Sequence, residues 1–482
     1  MEKAKGKKRA LFVLGGIVAA IVLGVLAFVL FVDIGGKRPR LESEASKALG
    51  LDVRIRGEMK IEYFPPFGLS LSDLHVARAG EDVLRVERMR FGVKILPLLW
   101  GQIRFRTLRL DLPDLSVQRT ATGPFDLERY VFRPLRNARE SLPATFGHID
   151  EISITRGKVS YANVDSTIRA EVAGLDLTIR DFTLQGTPGE DPFRNVSFTG
   201  SGKAGRLAVG GAEATDLSFG IVAKSGNYEV NPSTLQAFGG TGEGNMWVSL
   251  TEPTPLVQVL YSLGGSRSEQ LFAAFGRKRG LLEGKMDLTA NLFMKGENPD
   301  EWIGTMSGDI SWKGNDFAVP DFDPDALLSA GGEGKGSPVV RTGALLLPGP
   351  YLTEAAGALS GPGKTGEKGT VRTLVSGWIV KNGVFEAKDV ALATNEYRVA
   401  LTGWIDLPGG RFDNVTIALV DDKGCARTGQ TIRGAFRFPR IEEATVVRKE
   451  TRPGVTPLGK PMEPVPGEEC EAFYAGSVAP PE

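Results

Sequence analysis

The 482-residue chain carries 58 basic and 58 acidic side chains, so its formal net charge is zero and nothing in that balance points to nucleic acid or a polyanionic substrate. Its 61 glycines favour turns and bulges over long helices. Two histidines and two cysteines leave little material for a metal centre or a nucleophile–base pair.

The first element is the stretch 10–32, ALFVLGGIVAAIVLGVLAFVLFV, which holds no charged side chain. A helix of that length rises about 35 Å, enough to cross a bilayer core. Lys3, Lys5, Lys7, Lys8 and Arg9 precede it, which predicts a cytoplasmic N-terminus and a translocated body after Val32. A cleaved secretory signal would have a shorter apolar core and a small-x-small site, whereas this stretch ends LFVDIGG. The expectation is a single-pass transmembrane anchor, with residues 1–33 forming the basic N-terminus and the span.

Residues 39–50 read as a short helix, with Pro39 in the first turn, Leu41, Ala45, Ala48 and Leu49 at helical spacing, and Gly50 as the stop. Strand patterns begin at Asp52. Over 83–96, Met89, Phe91, Val93 and Ile95 face one way and Arg88, Arg90 and Lys94 the other. Over 103–112 the apolar set switches from Ile103 and Phe105 to Leu108, Leu110 and Leu112, which predicts a bulge near Thr107. Residues 124–141 read as a helix between Gly123 and Pro143.

Strand signals return at 148–161, 167–184, 194–207 and 214–224. Residues 255–276 then read as two helical pieces parted by Gly264 and Gly265. The clearest alternation follows at 285–294, where Met286, Leu288, Ala290, Leu292 and Met294 interleave with Lys285, Asp287, Thr289 and Asn291. A short helix is expected at 298–306, with Asn298 as cap and Pro299 at the first position. Residues 331–369, rich in Gly, Ser, Lys and Pro, read as a flexible insertion whose apolar island at 344–352 is able to dock. Four or five more strands follow over 371–438. There Tyr397, Val399, Leu401, Ile405 and Leu407 share a face, as do Val415, Ile417 and Leu419. The tail from Arg452 is proline-rich and packs locally around 470–478.

The fold class expected is mainly β with a few helices: an N-terminal transmembrane helix, then an elongated, curved antiparallel sheet. One-sided alternation fits either an open, groove-like sheet or a sandwich-like body. The chain divides into the anchor, an α+β region at 34–190, a middle β-rich region at 191–330, the insertion at 331–370, a C-terminal β region at 371–445 and a tail at 446–482.

Motifs with chemistry are scarce. GPGKTG at 361–366 lacks the earlier glycine of a phosphate loop, since position 358 is alanine. His75 and His148 stand alone in strand-like surroundings and read as structural. No HExxH, CxxC or GxSxG occurs. The run Arg277-Lys278-Arg279 is a solvated turn or a contact for anionic headgroups. No enzyme activity, catalytic residue, metal ligand or cofactor is expected. Cys425 and Cys470 lie in a translocated body, where thiols oxidise, so a disulfide is expected. It would staple the tail to the last strands and contribute up to about 4 kcal/mol through chain entropy.

The order of motifs resembles the AsmA family. After the anchor and short helix come GLDVRIRGEMKIEYFPPFGLSLSDLHVA and VERMRFGVKILPLLWGQIRFRTLRLDLPDLSVQR. These are similar to the family's "G-x-v-x-i-x-G", "lxPLLxG" and "l-x-l-x-x-P-x-l" segments. LLEGKMDLTANLFMKGENPDEWIGTMSGDISWKGNDFAVPDFDPDALL and IVKNGVFEAKDVALATNEYRVALTGWIDLPGGRFD resemble its later blocks. The chain departs from the pattern at 316–320 and in the Gly-rich insertion, and the cysteine pair resembles a subgroup feature. The resemblance implies an inner-membrane anchor, a periplasmic β-rich body and a link to outer-membrane assembly. In the wider superfamily an apolar β-groove is thought to carry phospholipid.

Partners implied are membrane lipids, through phospholipid acyl chains, the inner membrane and envelope proteins, with no nucleic acid. Candidate lipid-facing residues are Met286, Leu288, Leu292, Met294, Tyr397, Val399 and Leu401. The same residues fit an ordinary packed core equally well. A non-transporting envelope scaffold or assembly factor that binds a protein partner is the alternative function.

Overall fold

The computed structural model describes residues 38–49, 51–62, 67–78, 80–94, 97, 105–119, 148–163, 169–185, 192–274, 282–297, 299–330, 337–347, 368–442 and 470–481. The expected anchor at 10–32, the helix at 124–141, the basic run at 277–279, the GPGKTG loop and the proline-rich stretch 446–469 lie outside these residues. Among the described residues no helix is long and apolar enough to cross a membrane. The chain forms two compact units. One holds the described residues of Met1–Val117, Asp126–Ser160 and Asp176–Pro192, and the other those of Gln118–Phe125, Tyr161–Leu175 and Phe193–Glu482.

The first unit opens with helix α1 (Arg38–Leu49), followed by β1 (Asp52–Ile55), β2 (Met59–Glu62), β3 (Gly68–Arg78), β4 (Glu81–Val93) and β5 (Phe105–Arg119). Strand β3 pairs with β1, β2 and β4, and β4 pairs with β5, all antiparallel. Polar side chains tie the helix to the sheet. The Val53 and Ile55 amides donate to Ser46 Oγ (2.9 Å) and Glu42 Oε1 (2.7 Å), and Arg38 donates to the Gly57 carbonyl (2.7 Å). Beneath them Val53, Ile55, Leu71, Leu74, Val76 and Val86 form the core. Between β4 and β5, Gly92 faces Thr107 while Val93 faces Phe105. That extra residue is the bulge expected near Thr107, and it accounts for the switch of apolar face.

Strands β6 (His148–Asn163) and β7 (Arg169–Leu184) contribute to both units. The second unit continues with β8 (Val196–Val209), β9 (Ala212–Lys224), β10 (Asn227–Ala237), β11 (Gly240–Ser249), β12 (Leu256–Arg267), α2 (Ser268–Ala274), β13 (Lys285–Lys295), α3 (Pro299–Thr305) and β14 (Ser307–Val319). Next come α4 (Pro324–Ala330), α5 (Pro338–Gly343) with a 3₁₀ turn at Ala344–Leu346, and β15 (Gly369–Lys381), β16 (Val384–Ala393), β17 (Arg398–Asp406), β18 (Arg411–Val420), β19 (Ala426–Ala435) and β20 (Arg440–Ile441). From β8 to β20 each strand pairs antiparallel with the next, so this unit is an open ladder and not two facing sheets. The first half of the expected helical pair at 255–276 is therefore strand β12, and only Ser268–Ala274 is helical. Val257, Val259, Tyr261 and Leu263 alternate as a strand requires, and pairing on both sides with β11 and β13 decides the conformation.

At the β15–β19 end both faces of the ladder are covered. On one face Leu374, Trp378, Leu392, Val399, Leu401, Ile405, Phe412, Ile417 and Ile432 pack under Leu328, Val340, Leu345 and Leu346. The covering segment is pinned by Ser376 Oγ, which donates to the Leu346 carbonyl (2.8 Å), and by a hydrogen bond between the Ser337 hydroxyl and the Gln430 side chain. Part of the apolar island within 331–369 is thus docked. On the opposite face Tyr474 and Val478 lie over Ala391, Ala393, Ala400, Ala418 and Val420, whose small side chains leave room for the ring. Arg398, itself buried, donates to the Val478 carbonyl (3.0 Å) and holds its guanidinium 5.7 Å from the Tyr474 ring centroid. Cys425 and Cys470 are joined in a disulfide with a Cα–Cα distance of 6.0 Å, which ties this strap to the end of β18 and start of β19.

Candidate functional site: an uncharged apolar sheet face

Between β8 and β14 the same ladder is built differently. Directly opposed residues of an antiparallel pair lie on one side of the sheet, so the registers define each face. One row on this face runs Ile221, Val230, Met246, Val259 and Leu292. A parallel row on the same face runs through Leu235, Gly242, Leu263 and Leu288 to Trp312. Tyr228, Val248, Val257 and Met294 form a further row beyond the first. No Asp, Glu, Lys or Arg stands in any of these rows. The opposite face carries the charges, with Glu229, Glu243, Asp287, Lys295, Asp309 and Lys313 among them.

Most side chains of the apolar rows are half-buried: Ile221, Val230, Val248, Val257, Val259, Leu292 and Met294 are neither core nor free surface, and Met246 is 39% exposed. Their counterparts under α4 and α5 are sealed, with Val399 at 0% and Leu401 at 2%. The same apolar face is therefore closed by its own chain over β15–β18 and left half-open over β9–β13. Burial raises the pKa of the Tyr261 phenol on this face, so it stays neutral and adds no charge.

The candidate lipid-facing residues divide accordingly. Met294 lies half-buried on the half-open face, Leu288 and Leu292 are half-buried there and pack against the closed core, and Met286, at 6%, is buried within that core. Tyr397 packs half-buried against the core. Val399 and Leu401 are interior side chains and not wall residues, because the segment Pro338–Leu346 occupies the space above them. The strands that widen the open face, β10 to β12, supply Val230, Met246, Val257, Val259 and Tyr261, none of them on the list drawn from sequence. The alternation of Val257, Val259 and Tyr261 was the signal that could have found them.

The two histidines have structural partners. His75 is buried, with Nδ1 2.7 Å from Asp82 and Nε2 3.0 Å from Asp73, and His148 Nε2 lies 3.0 Å from Asp150. Among the described residues no group of three or more His, Cys, Asp or Glu side chains could hold a metal ion.

An open antiparallel ladder with one uncharged apolar face places the second unit among proteins that present a hydrophobic sheet surface. Residues 3–206 match the model of the AsmA family, so this N-terminal stretch is similar to that family. The match ends within β8, so the half-open face lies almost wholly beyond it. No curated protein and no solved structure matches the chain.

Proposed function

We propose that the chain is an inner-membrane-anchored periplasmic protein that supports outer-membrane assembly by holding or moving phospholipid acyl chains along the apolar face of β8–β14. The observation that carries this reading is the contrast along one sheet face: closed over β15–β18, half-open and without charge over β9–β13. Each acyl CH₂ that leaves water gains about 0.8 kcal/mol, so such a surface holds lipid without a catalytic group. The family match over residues 3–206 and the uncharged stretch at 10–32 behind a basic cluster support the location, with the N-terminus cytoplasmic and the bulk outside. The reading assigns no enzyme activity and no cofactor.

A photoreactive residue in the full chain, in intact cells, tests it. Placed at Val259 or Leu292 it should yield phospholipid adducts, and at Gln258 or Asn291, one position along on the other face, it should not. Equal adducts from both faces would count against a lipid-specific face. One observation favours the scaffold alternative: Leu260 (50% exposed) and Phe293 (49%) stand near each other on the polar face. Protein adducts from these two positions, with no lipid adduct at Val259, would put that alternative ahead.

A further inference from the structure

The half-open face has relief. Between its two tall rows runs a row of directly opposed residues, Gly202, Phe219, Ser233, Gly244, Tyr261 and Ala290, which ends at Ile310. Four of these are small, and the two aromatic rings do not stand up. The Phe219 ring lies over Gly202, where a Cβ would come 2.5 Å from Cζ. The Tyr261 ring lies over Gly242 and Gly244, where Cβ atoms would come 2.7 Å from Cε1 and 2.4 Å from Cδ2. Real Cβ atoms never approach so closely, so only glycine lets either ring lie down. The rings in turn cover glycine backbone with hydrocarbon. The result is a low floor between Ile221, Val230, Met246, Val259 and Leu292 on one side and, on the other, Leu235 and Leu288, which pack against the buried Leu263 cluster.

We propose that this row is a trough for one unbranched hydrocarbon chain, and that Gly202 and Gly242 set its depth by letting Phe219 and Tyr261 lie flat. The inference rests on the acyl-chain reading above and names the shape of chain that fits. With strands about 4.8 Å apart, the trough runs ~24 Å from β8 to β13, across the strands. The backbones beneath its two walls are about 13 Å apart, four residues at ~3.3 Å each, and the wall side chains narrow that width from both sides. Among the described residues no Asp, Glu, Lys or Arg stands in the row or its walls, so the lining offers a headgroup no ion pair. A chain with methyl branches is wider and should follow the floor less closely than a straight one.

Gly242 and Gly202 are the clean probes. The nearest atoms to a new Cβ there belong to side chains, whereas at Gly244 a Cβ would also meet the Leu260 carbonyl oxygen at 2.3 Å. The full chain, with a photoreactive residue at Met246, is mixed with vesicles of phosphatidylglycerol bearing either straight palmitoyl or methyl-branched phytanoyl chains. Wild type should give more adduct with the straight chain by on the order of tenfold, the usual worth of a misplaced methyl group. Gly242→Ala and Gly202→Ala should each lift a ring into the trough and cut the straight-chain yield by a similar factor at unchanged melting temperature. Adding Tyr261→Ala to Gly242→Ala should restore the yield. Tyr261→Ala alone should admit the branched lipid, a measurement that does not depend on the glycine variants folding. Equal wild-type yields for the two lipids, or wild-type yields from both glycine variants, would overturn the trough while leaving the acyl-chain reading in place. No lipid adduct from wild type at all would sink the acyl-chain reading itself.

Discussion

Asp73 and His75 show how single residues hold the first unit. Asp73 has a φ of +52°, a left-handed conformation that Asp and Asn tolerate better than most side chains. Its carboxylate faces His75 Nε2 at 3.0 Å, with Asp82 on the other ring nitrogen. The hydrogen bond with His75 holds the Asp73 pKa below the usual carboxylate range, and the charges of His75, Arg85 and Arg56 add to it. A depressed carboxylate stabilises the fold above its unfolded pKa of about 4, and that contribution fades as pH falls through the native value. Asp73→Asn keeps the backbone geometry and removes the charge. It should lower the melting temperature at pH 7, and the gap from wild type should close as pH drops below about 4. A gap that persists at low pH would assign the loss to packing. The sequence marked His75 as a lone structural histidine but could not show its two acid partners, because Asp82 reaches it across the β3–β4 turn.

The strap at the C-terminus is the element with the most concentrated restraints. Asp389 accepts hydrogen bonds from the Tyr474 hydroxyl, the Ser477 amide (3.2 Å) and the Ser477 hydroxyl (2.6 Å), while Arg398 holds Val478 and the disulfide holds Cys470. Replacing both Cys425 and Cys470 by serine should cost up to about 4 kcal/mol in the chain-entropy picture. Amide exchange should then quicken in β16–β18, where the strap covers the sheet, and stay unchanged in β3–β4; unchanged exchange in both would show that the side-chain contacts suffice. The cysteine pair and the packing near 470–478 were legible in the sequence, since the chain holds two cysteines and pairing is their expected fate in a body read as translocated. Strand β13 was visible too, because its alternation is unbroken from Met286 to Met294. Strand β12 was not. Its apolar residues at 256, 257, 259, 260 and 263 fit a helical stripe as well as a strand, and only the neighbours β11 and β13 break the tie.

At the scale of the second unit, one continuous ladder is finished in two ways, and among the described residues α4, α5 and the 3₁₀ turn cover the β15–β18 end. Periodicity predicts which side chains share a face but not whether anything lies on top of it. That is why Val399 and Leu401 fit a wall and a packed core equally well in the sequence, and the segment Pro338–Leu346 above them makes them core. Response to charge separates the two conditions. A carboxylate at a sealed core position loses its water and costs several kcal/mol, whereas one on a half-open face keeps part of its hydration. The deciding measurement pairs a melting curve with recovery of co-purifying phospholipid for the full chain, Val259→Asp and Leu401→Asp. Leu401→Asp should collapse the fold, and Val259→Asp should leave the melting temperature close to wild type while bound lipid falls. Loss of folding in Val259→Asp would make the β9–β13 face ordinary core, and an intact fold with undiminished lipid would mean that lipid does not sit there.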